Sequence, residues 1–218
     1  MKLEIFDISV VVMAQDHNPT ILHPSFLEFQ EIVPKGWELA EPPICTPPFS
    51  IVKYKNGISF TIDNNRLQVL QAPPTKSIPD SEIPNLAIKY IEKLPHVRYT
   101  TVGINFGAIL YESEPGKYLM NKFLKRGTWN EDETTMKTLG LKLVYPFENG
   151  ILSLSCDPGN LKKGEAAQII RGIIVKANYH IELGDGNVLS KAKETILTFP
   201  DKFQHLQKVM KRIFNTEE

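Results

Sequence analysis

Few residues in this chain have types and spacings that could do chemistry. In the stretch GINFG, Gly103, Asn105 and Gly107 alternate, so in a strand all three point to one face. Glycine inside a strand costs stability and marks a close approach by something else. Asn105, with one donor and one acceptor group between two positions without side chains, could bind a ligand or a backbone lying on this bare strip. The simpler reading is a helix packed tightly on the strip, with Asn105 bonded to the backbone of that helix. Arg171 falls between Ile169 and Ile173, on a face continued by Val175 and Ala177. A buried guanidinium there would need a carboxylate or an anionic ligand.

The remaining candidates are weaker. Asp16, His17 and His23 offer oxygen and nitrogen ligands in or near one loop, without the rigid spacing of a metal site, so a solvated loop is the default and no metal is expected. His96, His180 and His205 are scattered. Cys45 in ICTPP and Cys156 in SCDPG carry no nucleophile signature, and Cys156 falls at the end of an apolar strand face. The segments KNG, ENG and LGDGN lack the spacing of a phosphate loop or a calcium loop and read as turns. No cofactor motif is present.

The whole-chain composition narrows the partners. Twenty-five basic and 25 acidic residues give a formal net charge of +0 over 218 residues, so no global field recruits nucleic acid or an anionic membrane. The basic faces at 117–126 and 202–212 lack interleaved aromatics and read as solvated helix surfaces. Neutrality also leaves little charge repulsion against self-association. Two cysteines fit reduced thiols in a cytoplasmic protein. The N-terminal apolar run is broken by Asp7 and Ser9 and lacks the layout of a signal peptide, and no segment has the apolar length of a membrane span.

The elements that must position these residues are more legible. SIVKYKNGISFTIDNNRLQVLQ, residues 50–71, predicts a three-stranded meander. A three-residue Lys55-Asn56-Gly57 loop sets Tyr54 opposite Ile58 and Val52 opposite Phe60. A two-residue Asn64-Asn65 loop sets Ile62 opposite Leu67. Only this pairing gives one apolar face (Val52, Tyr54, Ile58, Phe60, Ile62, Leu67, Val69) and one largely polar face. A sheet with one wet face is antiparallel, which argues against a parallel nucleotide-binding fold. Residues 3–13, 96–112 and 167–182 read as long strands. Residues 139–156 read as a hairpin with a two-residue loop at Asn149-Gly150, which pairs Phe147 with Leu152, at a sheet edge or bulged at Pro146.

PSFLEFQ and SKAKETIL are short candidate helices, and helices are predicted over SEIPNLAIKYIEKLP, 114–126 and PDKFQHLQKVMKRIF. The last is strongly amphipathic, with Phe199, Phe203, Leu206, Met210 and Ile213 at helical spacing. The segment 34–48 holds five prolines and reads as an extended wrap anchored by Trp37, Leu39 and Ile44.

These elements compose an α+β fold: a mostly antiparallel twisted sheet of about seven to nine strands with three or four helices. The chain reads as a single domain over 1–218, with two loosely similar halves, 1–113 and 114–218, as the alternative. A sheet closed over a long C-terminal helix resembles the helix-grip arrangement of lipid-binding domains, a topological likeness without a motif. The expected function is non-catalytic contact with protein partners, self-association included. The alternatives are a cavity for an apolar or anionic small molecule near Gly103, Asn105, Gly107 and Phe203, and a hydrolase-like enzyme with His17 or His23 meeting Asp157 or a cysteine.

Overall fold

The computed structural model describes every residue except 126, 128–135, 148, 164–167 and 217–218. The expected polar loop TWNEDETTMK and the last residue of the 114–126 helix therefore lie largely outside the described residues. In chain order the elements are β1 (Leu3–Gln15), α1 (Pro24–Phe29), β2 (Ile44–Cys45), β3 (Phe49–Lys53), β4 (Ile58–Asp63), β5 (Arg66–Gln71), α2 (Ile83–Glu92) and β6 (Arg98–Tyr111). They continue with α3 (Pro115–Phe123), β7 (Leu141–Phe147), β8 (Gly150–Lys163), β9 (Gln168–Glu182), α4 (Val188–Leu197) and α5 (Phe199–Phe214). All strands join one antiparallel sheet of nine, in the order β2-β3-β4-β5-β1-β6-β9-β8-β7. The α+β class holds, with five helices among the described residues where three or four were expected. The sheet is open, with β2 and β7 at its edges. No described helix is long and apolar enough to cross a membrane.

The meander has the predicted geometry. Val52 pairs with Phe60, Ile62 with Leu67 and Phe60 with Val69, and the Tyr54 N–H donates to the Ile58 carbonyl. Gly57 takes the left-handed backbone the three-residue loop demands, at φ +82°. Every residue of the predicted apolar face is buried. That face continues across the sheet through Ile8, Val10 and Val12 of β1, Ile104, Phe106 and Ala108 of β6, and Val175 and Tyr179 of β9.

The helices pack on this apolar face. Phe106 lies 5.1 Å from Phe199 and 5.5 Å from Phe203 of α5, measured between ring centroids. Tyr90 of α2 lies 6.4 Å from Phe60 of β4 and 5.9 Å from Phe26 of α1. Phe199, Phe203, Leu206, Met210 and Phe214 form the buried stripe of α5, and Asn215 ends that helix in the left-handed region at φ 54°.

The hairpin of β7 and β8 departs from expectation. Phe147 pairs with Gly150 and Tyr145 with Leu152, where the sequence reading paired Phe147 with Leu152. Pro146 explains the difference. In a two-residue hairpin the closing pair, and every second pair beyond it, exchange hydrogen bonds. In the observed register those residues of β7 are Phe147, Tyr145, Leu143 and Leu141. Pro146 falls between them, so the N–H it lacks would have faced the open edge. The shift spans two residues, so the apolar set stays on its face.

Strand β8 also runs past Cys156 to Lys163, because β9 is long enough to pair it through Gln168. Of the three expected anchors in the Pro-rich wrap, Trp37 and Leu39 pack against the core while Ile44 is exposed. Ile44 sits on the two-residue edge strand β2, about half exposed.

Candidate binding surface

Strand β6 places its residues on two faces by simple alternation. Val102, Ile104, Phe106, Ala108 and Leu110 enter the core, so Gly103, Asn105 and Gly107 face the other way. That second face is where a tightly packed helix was expected. The helices are on the first face, because the continuous apolar surface is there. The strip of Gly103, Asn105 and Gly107 instead lines an open groove of about 610 Å³, and every lining residue comes from a strand. The groove crosses four adjacent strands, β5, β1, β6 and β9, with Gln68, Leu70, Ser9, Asp7, Lys176, Asn178 and His180 among its walls.

Register brings a row of polar side chains together. Ser9 stands opposite Asn105, Asn105 opposite Asn178, and Asn178 opposite Ser153. The Asn178 amide donates to Asn105 Oδ1 at 2.5 Å, and the Asn105 amide donates to Ser9 Oγ at 3.2 Å. Gln68 Nε2 donates to the same Ser9 oxygen at 3.3 Å. Asn105 thus uses both ends of its amide inside the sheet face, not on a helix backbone.

The two glycines of the strip serve different ends. A Cβ on Gly107 would lie 2.4 Å from Oδ1 of Asp7, so the Asp7 carboxyl fills the space that glycine leaves. Burial holds that carboxyl above its ordinary pKa, against the opposing pull of the Gly107 backbone hydrogen bond and the Lys176 charge. A Cβ on Gly103 would meet only ordinary contacts, the nearest being Val11 Cβ at 3.4 Å. Gly103 lies on the floor of the groove and adds no side chain to it.

The other nominated residues do not converge here. Phe203 is on α5, across the sheet from the glycine strip, packed on Phe106. Its partners fill the space where a cavity shared with the strip was expected. Arg171 is exposed, opposite Asn160 toward the far end of β9 from His180 and one residue past the end of the β6 pairing at Gly172.

Asp16, His17 and His23 occupy three separate environments. Asp16 is exposed in the left-handed region at φ 59°. His23 caps α1 by accepting from the Ser25 N–H at 3.2 Å. His17 is buried, a correction to the solvated loop expected there. Its backbone N–H bonds to Asn64, its Nε2 lies 3.4 Å from the Val12 carbonyl, and burial lowers its pKa. No cluster of three metal-ligating side chains occurs among the described residues. Cys45 is an exposed free thiol and Cys156 a buried one, which burial pushes up to about 12, with the Asp157 charge adding to the rise.

His180 enters the sequence reading only among the scattered histidines, and Asp7, Ser9, Gln68, Lys176 and Asn178 are not among its nominated site residues. Their partial signal was the break that Asp7 and Ser9 make in an apolar run, at alternate positions of β1. The pairing of β1 with β6 and of β6 with β9, which assembles the row, has no local signature. Compared with protein-family models, with curated proteins and with solved structures, the chain has no match in any of the three.

Proposed function

We propose that the protein is a non-catalytic binding module that meets its partner on the open face of the sheet, and that its first partner is a second copy of the chain. One observation carries this reading: the face around the groove is open, mixes polar and apolar side chains, and has no described helix lining it. Ser9, Gly103, Asn105 and Ser153 rise little above the backbone there, so a second sheet could approach closely.

The edges offer less. β2 has two residues, and β7 turns Lys142 and Pro146 to its open edge, which discourages strand addition. Beside the polar row the same face carries exposed apolar side chains, Val144 at 52% and Ile151 at 40%. Eight inter-strand spacings of ~4.8 Å by strands ~20 Å long offer roughly 800 Å², about what each partner of a stable dimer contributes. A net charge of +0 supplies no repulsion between copies.

Size-exclusion chromatography with light scattering over a wide concentration range tests this. The expected result is a reversible dimer, abolished by Gly103→Arg, which sets a long cation on the groove floor where the fold has room for a Cβ. A strict monomer at high concentration overturns self-association. The chain of amides from Gln68 to Asn178 favours a second reading, a small polar molecule held in the groove. Unexplained density over Asn105 in a crystal of the monomer would decide for it.

A further inference from the structure

We propose that the stripe of α5 formed by half-buried Lys202 and exposed His205, Lys208 and Arg212 is a binding site for a phosphate-bearing anion. The stripe lies on the helix-covered side of the sheet, so it is independent of the open face.

Spacings of three, three and four residues place these side chains in one row along the helix. The row is about 15 Å long, enough for one phosphate or for a linked pair. The chain as a whole is neutral, and some of its cations sit in ion pairs: Lys53 with Glu41, Lys55 with Glu38, Lys76 with Glu82, Lys117 with Glu114, Lys193 with Glu92 and Arg66 with Asp63. Among the described residues Lys202, Lys208 and Arg212 make no ion pair. Asp201 is the acid whose charge reaches Lys202.

The row has a fixed end. Lys202 Nζ lies 4.2 Å from the centroid of the Phe147 ring and 5.6 Å from that of Tyr179. Beside it, the buried Tyr179 hydroxyl meets Nδ1 of His205 at 2.8 Å. With Tyr179 donating to Nδ1, the neutral imidazole carries its proton on Nε2, the nitrogen that the tyrosine leaves available as a donor. Burial holds His205 below its ordinary pKa, and the charges of Lys202, Lys208 and Arg212 hold it lower still. An anion accepting from Nε2–H and from the neighbouring cations would relieve that mutual repulsion. Guanidinium and ammonium groups flanking an imidazole N–H match the several acceptor oxygens of a phosphate.

The test follows the imidazole resonances of the full chain by NMR while sodium pyrophosphate is added, with sodium chloride at matched ionic strength as control. The expected result is a saturable shift at His205, a rise in its protonation midpoint, and no comparable response at His23, which is distant and caps α1. Lys208→Ala with Arg212→Ala removes two exposed side chains, so folding is retained on circular dichroism. Pyrophosphate affinity should fall about ten-fold or more. Equal responses at His23 and His205, no saturation, or unchanged affinity in the double variant overturns the site. A second arm separates sources of the same chemistry. Phosphatidylcholine vesicles carrying phosphatidic acid that sediment with the protein, and release it to pyrophosphate, assign the site to a lipid headgroup. Failure to sediment, with pyrophosphate still bound, assigns it to a soluble phosphate compound.

Discussion

One strand, β6, shows both faces of the sheet side by side. Its even residues, from Val102 to Leu110, are buried among aromatic and aliphatic side chains. Its odd residues Gly103, Asn105 and Gly107 line the groove. The first set is held by removal of apolar surface from water, which is large and non-directional. The second is held by hydrogen bonds to Ser9 and Asn178, each worth little net where water can compete. Stability and surface chemistry are thus divided between neighbouring residues of one strand, and a change on the groove side need not unfold the protein.

Adjacent substitutions test that division most sharply. Phe106 is buried and touches Phe199, Phe203 and Tyr179, so Phe106→Ala should cost about 3–5 kcal/mol. Asn105→Ala, one residue away, should cost about 1 kcal/mol, because Ser9 and Asn178 sit at a groove that water can enter. Chemical denaturation of both variants measures the gap. Equal losses would mean that the amide row is as structural as the core and that the two faces are not distinct.

The glycines sharpen the comparison within the groove side itself. Gly107→Ala drives a Cβ to 2.4 Å from the Asp7 carboxyl, and the short Asp side chain has little room to yield. A loss of about 1–3 kcal/mol is expected, as for other overpacked sites. Gly103→Ala meets no close contact and removes unfolded-state freedom, so it should be neutral or stabilise by about 0.5 kcal/mol. The Gly107→Ala loss should shrink in an Asp7→Ala background, a coupling that a double-mutant cycle reads directly.

What the sequence made legible follows the range of the interactions. The KNG and Asn-Asn turns and the seven-residue apolar face of the meander were readable because turn chemistry and period-two alternation act between near neighbours. The C-terminal helix was readable for the same reason at a period of 3.6. Pro146 carried the information that fixes its hairpin, through the N–H it lacks, but the register it selects lies two residues from the one the apolar pattern suggested. In the groove, the glycine strip was visible and its neighbours were not. Asn105 meets Ser9 across 96 residues and Asn178 across 73, and no local pattern specifies pairings of that span. Nor could alternation say which face the helices would cover: GINFG showed that one side of β6 was bare, and the packing of Phe199 and Phe203 on Phe106 decided that the bare side stayed open.

The smallest expected effect is a pH dependence on the groove side that the core does not share. The Asp7 carboxyl is raised above its ordinary value of 3.8, with burial as the largest cause. A raised folded-state pKa means that the native protein holds this proton more tightly than the unfolded chain does. The contribution of Asp7 is therefore most favourable below the unfolded value and is lost as pH rises through the folded one. Asp7→Asn keeps an acceptor for the Gly107 backbone hydrogen bond and removes the ionisation. It should stabilise the protein at neutral pH, and the advantage over the parent should vanish as pH falls below 3.8. Denaturation of both proteins across that range measures the difference. If Asp7→Asn is instead less stable at neutral pH, the charge of Lys176 outweighs burial, and the carboxylate belongs to the groove as a fixed negative charge.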